Sequence, residues 1–270
     1  MRYSIDHDLH IHSHLSECSQ DPEQTAETIL RYAEDYGLKK ICLTDHYWDE
    51  NVMGASNWYK PQNTAHIKEA LPLPQSDKVE FLFGCETDMS RDLTLGVSKT
   101  RFDELDFIIV PTTHLHMSEF TIPQDFEDTP ENRAELWVKR LDALLSMELP
   151  FHKIGIAHLA CRLINRKTPE DYLKTLDLIP EEEMVRLFTK AAKLGCGIEL
   201  NRDDMSFKCG GANTVLRPFR IAKACGCKFY LGTDAHHPSD LYGMKAIFEP
   251  VIDVLGLTED DKFIVCNQKV

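Results

Sequence analysis

Short apolar, β-branched runs alternate with amphipathic stretches along nearly the whole chain. The strand-like runs are 5–11 (IDHDLHI), 40–45 (KICLTD), 80–86 (EFLFGCE), 106–112 (DFIIVPT), 153–158 (KIGIAH), 196–200 (CGIEL) and 228–233 (KFYLGT). Between them lie helical patterns. Residues 22–36 open with Asp21-Pro22-Glu23, a cap followed by proline at the first helical position. Residues 130–148 open with Thr129-Pro130-Glu131 and put Trp137, Leu141, Leu144 and Leu145 on one face. Residues 181–194 open with three glutamates, which suit the positive end of a helix. Residues 212–225 and 239–255 are the last two helical patterns. Repeated strand–helix units predict a parallel sheet with right-handed crossovers. Seven of them in 270 residues fit an α/β barrel, closed or nearly so, built as a single domain over 1–270. The irregular stretches 47–62 and 113–129 each follow a strand and are candidate site loops.

Charge narrows the partners. Thirty basic against 44 acidic side chains give a net charge of −14. That argues against a broad grip on nucleic acid, while a small anionic substrate stays open because bound cations reverse a local field. No apolar run reaches membrane-spanning length, and the first eight residues lack the apolar core of a signal peptide. Nine cysteines form no Cys-x-x-Cys pair, and several sit in strand-like runs as small apolar groups. A reduced, cytoplasmic compartment is the expectation. Oligomeric state is not legible.

The twelve histidines are placed unevenly. His10 and His12 close the first strand, Asp45 and His46 the second, and Glu86 the third. His114 and His116 follow the fourth, His158 closes the fifth, Glu199 and Asn201 end the sixth, and Asp234 and His236 follow the seventh. In a parallel barrel these carboxyl ends converge on one mouth. His-x-His on a strand points both imidazoles to one side. With carboxylates added, the shell is mixed nitrogen and oxygen without thiolate, suited to Zn²⁺, Mn²⁺ or Fe²⁺. One ion uses about four ligands. Eight candidate ligands (His10, His12, His46, Glu86, His114, His158, Asp234, His236) therefore imply two or three divalent ions, which would activate a hydroxide and neutralise phosphoryl oxygens.

The ordered motifs Asp8-Leu9-His10-Ile11-His12-Ser13, Thr44-Asp45-His46, Gly84-Cys85-Glu86, His114, His158 and Thr233-Asp234-Ala235-His236 resemble those of the PHP family (polymerase and histidinol phosphatase). The resemblance runs from residue 8 to about 240, and the stretch from His10 to His46 looks most like the stand-alone histidinol-phosphate phosphatases of histidine biosynthesis. It implies a distorted seven-stranded, TIM-like (β/α)7 barrel and a three-metal site that cleaves phosphoesters. Carried over by position, His10, His12, Glu86 and Asp234 would hold one ion, and Glu86, His114 and His158 a second. His46 and His236 would hold the third, with one ligand from the loop after His12. Glu17 and Cys18 compete for that place, and Glu17 is preferred for its hard oxygen. The stretches around His158 and Glu199 differ from the histidinol-phosphate branch, so phosphoester hydrolysis is better supported than that one substrate.

The resulting expectation is a phosphatase acting on a small phosphomonoester, histidinol phosphate or a similar metabolite. Asp234 is the expected proton acceptor from water. His116 is the candidate proton donor to the leaving oxygen, and Arg162 the candidate phosphate clamp. Arg202 and His237 are weaker candidates of the same kinds. Asp45 is expected to orient His46 or a neighbour. Trp48, Trp58 and Tyr59 are candidate pocket walls. Two alternatives stand beside this reading: an amidohydrolase-type metal hydrolase, which also begins with His-x-His, and a non-catalytic metal-binding module.

Overall fold

A computed structural model describes residues 1–265 of the chain. Eight parallel strand segments form one curved sheet: β1 (His7–Ile11), β2 (Lys40–Leu43), β3 (His46–Tyr47), β4 (Glu80–Thr87), β5 (Phe107–Pro111), β6 (Ile154–Ala157), β7 (Gly197–Asn201) and β8 (Lys228–Gly232). Lys40 pairs with Glu80 and His46 with Glu86, the same offset of 40. β2 and β3 are thus one stave interrupted at Thr44-Asp45, and the barrel has seven staves in the order β1-β2-β4-β5-β6-β7-β8.

Helices cover the outside: α1 (Ala26–Tyr36), α2 (Thr64–Ile67), α3 (Pro130–Leu144), α4 (Pro169–Leu178), α5 (Glu181–Leu194), α6 (Arg202–Met205), α7 (Ala212–Ala224) and α8 (Met244–Leu255). The first starts later than its proline suggests. Thr25, not Asp21, is the cap, its hydroxyl accepting from the Thr28 amide, while Asp21 accepts from the Glu23 amide in a turn. Helix α8 likewise begins at Met244 rather than 239, because Pro238–Leu241 form a 3₁₀ turn. Helix α4 had no counterpart in the hydrophobic pattern, although Thr168-Pro169 caps it as Thr129-Pro130 caps α3.

Two apolar layers hold the barrel. Outward strand residues such as Ile41, Val110, Ile156 and Leu231 pack against Trp137, Leu187, Phe188 and Phe219 of the helices. Inward residues Leu9, Cys42, Leu82, Phe107, Ile109, Ala157 and Tyr230 fill the lower interior, and Phe263 and Val265 plug its floor. A side chain at Gly155 or Gly197 would collide with Tyr230, and with Phe107 or Phe263 respectively, so those glycines give the rings room.

Closure between β8 and β1 combines backbone bonds, from the Asp234 amide to the His10 carbonyl (2.7 Å) and from the His12 amide to the Ala235 carbonyl (3.0 Å), with side-chain bonds. Asp8 accepts from the Thr233 amide (3.0 Å) and hydroxyl (2.6 Å), and His7 Nε2 accepts from the Leu231 amide (3.1 Å). Burial pushes the Asp8 carboxyl up to about 6. The bulge between Asp8 and Ile11 changes which face β1 presents. Leu9 joins the interior below, and two residues later Ile11 joins the outer layer. That change of face aims His10 and His12 at the mouth.

Candidate metal centre

Eight of the nine predicted ligands meet at the carboxyl ends of the strands, in three groups of donor atoms: His10, His12, Glu86 and Asp234; Glu86, His114 and His158; and His12, His46 and His236. Within the first, His10 Nε2 and His12 Nε2 stand 3.1 Å apart. Glu86 Oε2 is 3.4 and 3.2 Å from those nitrogens, and Asp234 Oδ1 is 3.3 and 3.2 Å from them. Four donors placed tetrahedrally about 2.0–2.1 Å from a common centre are roughly 3.3–3.4 Å apart. These separations are those between the vertices of a coordination tetrahedron, with His10, His12 and Glu86 buried and Asp234 partly exposed. Two imidazole nitrogens at 3.1 Å with both lone pairs facing inward repel unless a cation lies between them.

Glu86, at the end of β4, links the groups. Its Oε2 faces His10, His12 and His46 (3.3 Å from His46 Nδ1), while Oε1 faces His158 Nε2 (3.2 Å) and His114 Nε2 (4.0 Å). His46 Nδ1 is buried without a hydrogen-bond partner, the orphan that a metal would satisfy. The third group takes His12 where the sequence suggested Glu17. Glu17 is exposed, and its amide is tied to Gln62 Oε1. Of the two rivals in that turn, Cys18 lines the cavity and Glu17 does not.

The far side of most rings is anchored, which fixes the tautomer. His10 Nδ1 donates to Glu199 Oε1 (2.7 Å), His114 Nδ1 to Asp88 Oδ2 (3.0 Å), and His236 Nδ1 to the Asp234 carbonyl (2.8 Å). His158 Nδ1 donates to Thr113 Oγ1 (2.9 Å), which itself donates to the His158 carbonyl. Asp45 acts at one remove: it accepts from Ser16 Oγ (2.7 Å), and Ser16 Oγ accepts from His12 Nδ1 (2.9 Å). Asp88 is in turn held by the fully buried Arg140 (2.9 Å). Residues Asp88, Thr113 and Arg140 carried no motif. Asp88 and Thr113 lie just past β4 and β5 and Arg140 on α3, and only the fold brings them to the ligands.

Local backbone is bent to the purpose. His158 follows β6 at a position where alternation would turn it outward, and its φ of 28° brings it in. Asp234 has φ 53°. Left-handed conformations are uncommon for such residues and costly unless surroundings impose them. Gly232 lies beside Glu199 and His10, and a Cβ there would overlap the Glu199 carboxylate.

The electrostatics call for positive charge. Burial pushes the Glu86 carboxyl up, but His46 and His10 overcome it and hold it well below the usual range. Asp234 is depressed in the same way against burial, first by His10. Burial drives His46 well down, against the pull of the Glu86 carboxylate.

A cavity of about 520 Å³ opens on the donors and is walled by Trp58, Tyr59, Met117, Leu163 and His116. Trp48 sits behind it, fully buried against Tyr59 and Phe120. A second cavity of about 460 Å³ shares Leu163, Asp234 and His236 with the first and is lined by Arg162, Tyr172, Asn201, Arg202, Asp204 and Lys208. Arg162 donates to the Asn165 and Arg166 carbonyls and lies over the Tyr172 ring. Arg202 is held by Asp240, and His237 by Asp21 (2.6 Å).

The model of the PHP domain family matches residues 8–203. Among solved structures, the chain is similar to histidinol phosphate phosphatase from Lactococcus lactis, complexed with zinc, L-histidinol and phosphate. The TM-score is 0.58 at 16% identity, over 94% of this chain and 94% of that one. It is also similar to a candidate histidinol phosphatase from Listeria monocytogenes, with a TM-score of 0.62 at 13% identity, over 89% of this chain and 98% of that one. At these identities the likeness is one of fold. No curated protein sequence matches the chain.

Proposed function

This chain belongs to the PHP domain family, and from that premise we propose that it is a metal-dependent phosphatase acting on a small phosphomonoester. The observation that carries the reading is the Glu86 carboxylate, whose two oxygens face two separate sets of imidazoles. A carboxylate has lone pairs enough to serve two ions at once. His10, His12, Glu86 and Asp234 would hold one divalent ion, Glu86, His114 and His158 a second, and His12, His46 and His236 a third. When bound, such ions lower the pKa of water and offset charge on attacking and leaving oxygens.

The protein's own groups divide the remaining work. Asp234 Oδ1 stands among His10, His12 and His236, positioned to take a proton from water as the new P–O bond forms. His116, the candidate donor to the leaving oxygen, sits at the cavity wall with its ring edge-on to His114, and burial with His114 beside it pushes its imidazole down to about 4, so it could donate only under acidic conditions. The products are an alcohol and inorganic phosphate. Arg162, the expected phosphate clamp, lines the adjoining cavity rather than the one that opens on the donors, with its guanidinium on the Asn165 and Arg166 carbonyls. Histidinol phosphate is one member of the substrate class, in keeping with the L-histidinol and phosphate bound in the Lactococcus lactis enzyme. The amidohydrolase alternative calls for a lysine at the end of the middle strand, where Thr112, Thr113 and His114 stand here.

The test is a phosphate-release screen over small phosphoesters, including histidinol phosphate and p-nitrophenyl phosphate, with Mn²⁺, Zn²⁺ or Fe²⁺ supplied. Turnover that needs metal supports the reading. A fully metal-loaded protein that releases phosphate from none of them overturns it.

A further inference from the structure

Three separate loops at the mouth each turn one large apolar side chain to the first cavity. Trp58 comes from the loop after β3, Met117 from the loop after β5 and Leu163 from the segment after β6. All three are partly exposed rather than packed away. Beyond the donor groups, the rest of the wall is Cys18, Tyr59 and His116. Among the described residues, no Asp, Glu, Lys or Arg lines this cavity except the donors Glu86 and Asp234. The cations Arg162, Arg202 and Lys208 line the second cavity instead. Apolar side chains held half-exposed around a cleft mark a ligand surface rather than core packing.

Trp58 is braced before any substrate arrives. Its ring stands edge-on to His46 (centroids 4.9 Å apart, 69° between planes) and to Tyr59 (4.8 Å, 87°). Tyr59 is fully buried against Trp48 and Phe120, and the Trp58 carbonyl accepts from Gln62 Nε2 (3.0 Å). The indole is thus fixed beside a donor imidazole. We propose that the first cavity is the leaving-group subsite and that Trp58 there selects an uncharged aromatic ring. The proposal rests on the phosphatase reading and narrows its substrate class to phosphomonoesters whose alcohol carries such a ring. The phosphoryl group would lie at the donors and the ring among Trp58, Met117 and Leu163. Apolar area removed from water supplies the binding, and a sulfur–aromatic contact adds to it. Trp58 takes no part in bond making. An ammonium group would find no carboxylate in this cavity beyond those that metals neutralise, and burying it there is costly. Histidinol phosphate, whose alcohol carries an amine, is on this reading a member of the monoester class but not its best.

The experiment compares 2-phenylethyl, 2-cyclohexylethyl and ethyl phosphates on the metal-loaded full chain, esters whose leaving oxygens are alike in acidity. The phenyl ester should exceed the ethyl ester in kcat/KM by roughly tenfold to a hundredfold, the effect of burying one ring. It should exceed the cyclohexyl ester by about twofold to tenfold, the part owed to aromatic contact. It should also exceed histidinol phosphate. Trp58→Ala should bring the phenyl-to-cyclohexyl ratio to about one, and Trp58→Phe should keep it above one. Equal kcat/KM for the phenyl and ethyl esters, a higher value for histidinol phosphate, or a phenyl preference that survives Trp58→Ala overturns the subsite. Should Trp58→Ala fail to fold, wild-type inhibition decides alone. There 2-phenylethylphosphonate should inhibit p-nitrophenyl phosphate turnover competitively, about tenfold or more tighter than ethylphosphonate, and equal inhibition overturns the subsite. Turnover without a ring preference is failure of this subsite only. Turnover of no phosphoester at all is failure of the phosphatase reading, and the subsite falls with it.

Discussion

The lower and upper halves of the barrel interior are lined by the same strands and differ in every other respect. Below, Leu9, Cys42, Leu82, Phe107, Ile109, Ala157 and Tyr230 pack as a closed apolar plug. One or two turns of the pleat above them stand Glu199, His10, Glu86 and His158, all at most 2% exposed. The lower half needs nothing beyond itself, since apolar area removed from water is its own stabilisation. The upper half is stable only as a charge-balanced group, and its balance is completed by cations. Stability and chemistry should therefore separate along the barrel axis.

The strongest test of that separation strikes the lower half. Phe107 is fully buried, with its ring edge on Tyr230 at 5.2 Å. Phe107→Ala should lower unfolding free energy by about 3–5 kcal/mol, the usual result of deleting a buried aromatic. Denaturant unfolding measures it. Metal content and phosphatase rate of the fraction still folded should be near normal. A variant that is stable but metal-free would show that the two halves are one unit.

The second test strikes the upper half at its shared residue. Glu86→Gln keeps the shape but leaves one oxygen acceptor and removes the charge that offsets two dications. Metal content should fall, and turnover should drop by roughly a hundredfold or more. Thermal melting of the metal-stripped variant should stay close to that of stripped wild type, because the apolar half carries the fold. Full metal occupancy with near-normal rate would remove Glu86 from the proposed centre.

These two halves were not equally legible. All seven staves could be read from the chain, because β-branched runs between capped helices report the lower half directly. The ligand candidates could be read too, since His and Glu at the ends of apolar runs are conspicuous. What holds them could not. The pairing of His114 with Asp88, and of Asp88 with Arg140, joins residues 26 and 52 apart. No local pattern carries that information. The inward turn of His158 depends on a left-handed backbone at a residue type that does not announce one. The bulge in β1 is equally silent, as no glycine or proline marks it.

A smaller effect probes the boundary between the halves. Gly232 leaves room for the Glu199 carboxylate that anchors His10. Gly232→Ala should displace that carboxylate and loosen His10. Anchoring partners of metal-bound histidines are typically worth tenfold to a hundredfold in metal affinity, so a loss of about that size is expected. Competition with a graded chelator measures it. Unchanged affinity would mean that His10 is held by its neighbours at the mouth rather than from below.

The smallest expected effect separates two neighbours in one turn. The sequence favoured Glu17 as the ninth ligand because a carboxylate is the harder donor. In the fold, the hydroxyl of Ser16 is taken by His12 and Asp45, and the chain then turns so that Glu17 faces water while Cys18 faces the cavity. The third donor group is complete without either, from His12, His46 and His236. Glu17→Gln should therefore leave metal stoichiometry unchanged and shift stability by no more than about 0.5 kcal/mol, as expected of an exposed side chain. Cys18→Ser on the cavity wall is the matched comparison. It should alter the rate by a few-fold at most, by changing the surface that faces substrate. Metal content by elemental analysis and rate under saturating metal decide both. Loss of one equivalent of metal in Glu17→Gln alone would show that the turn closes over the mouth when ions bind, bringing an exposed carboxylate inward to join His46 and His236.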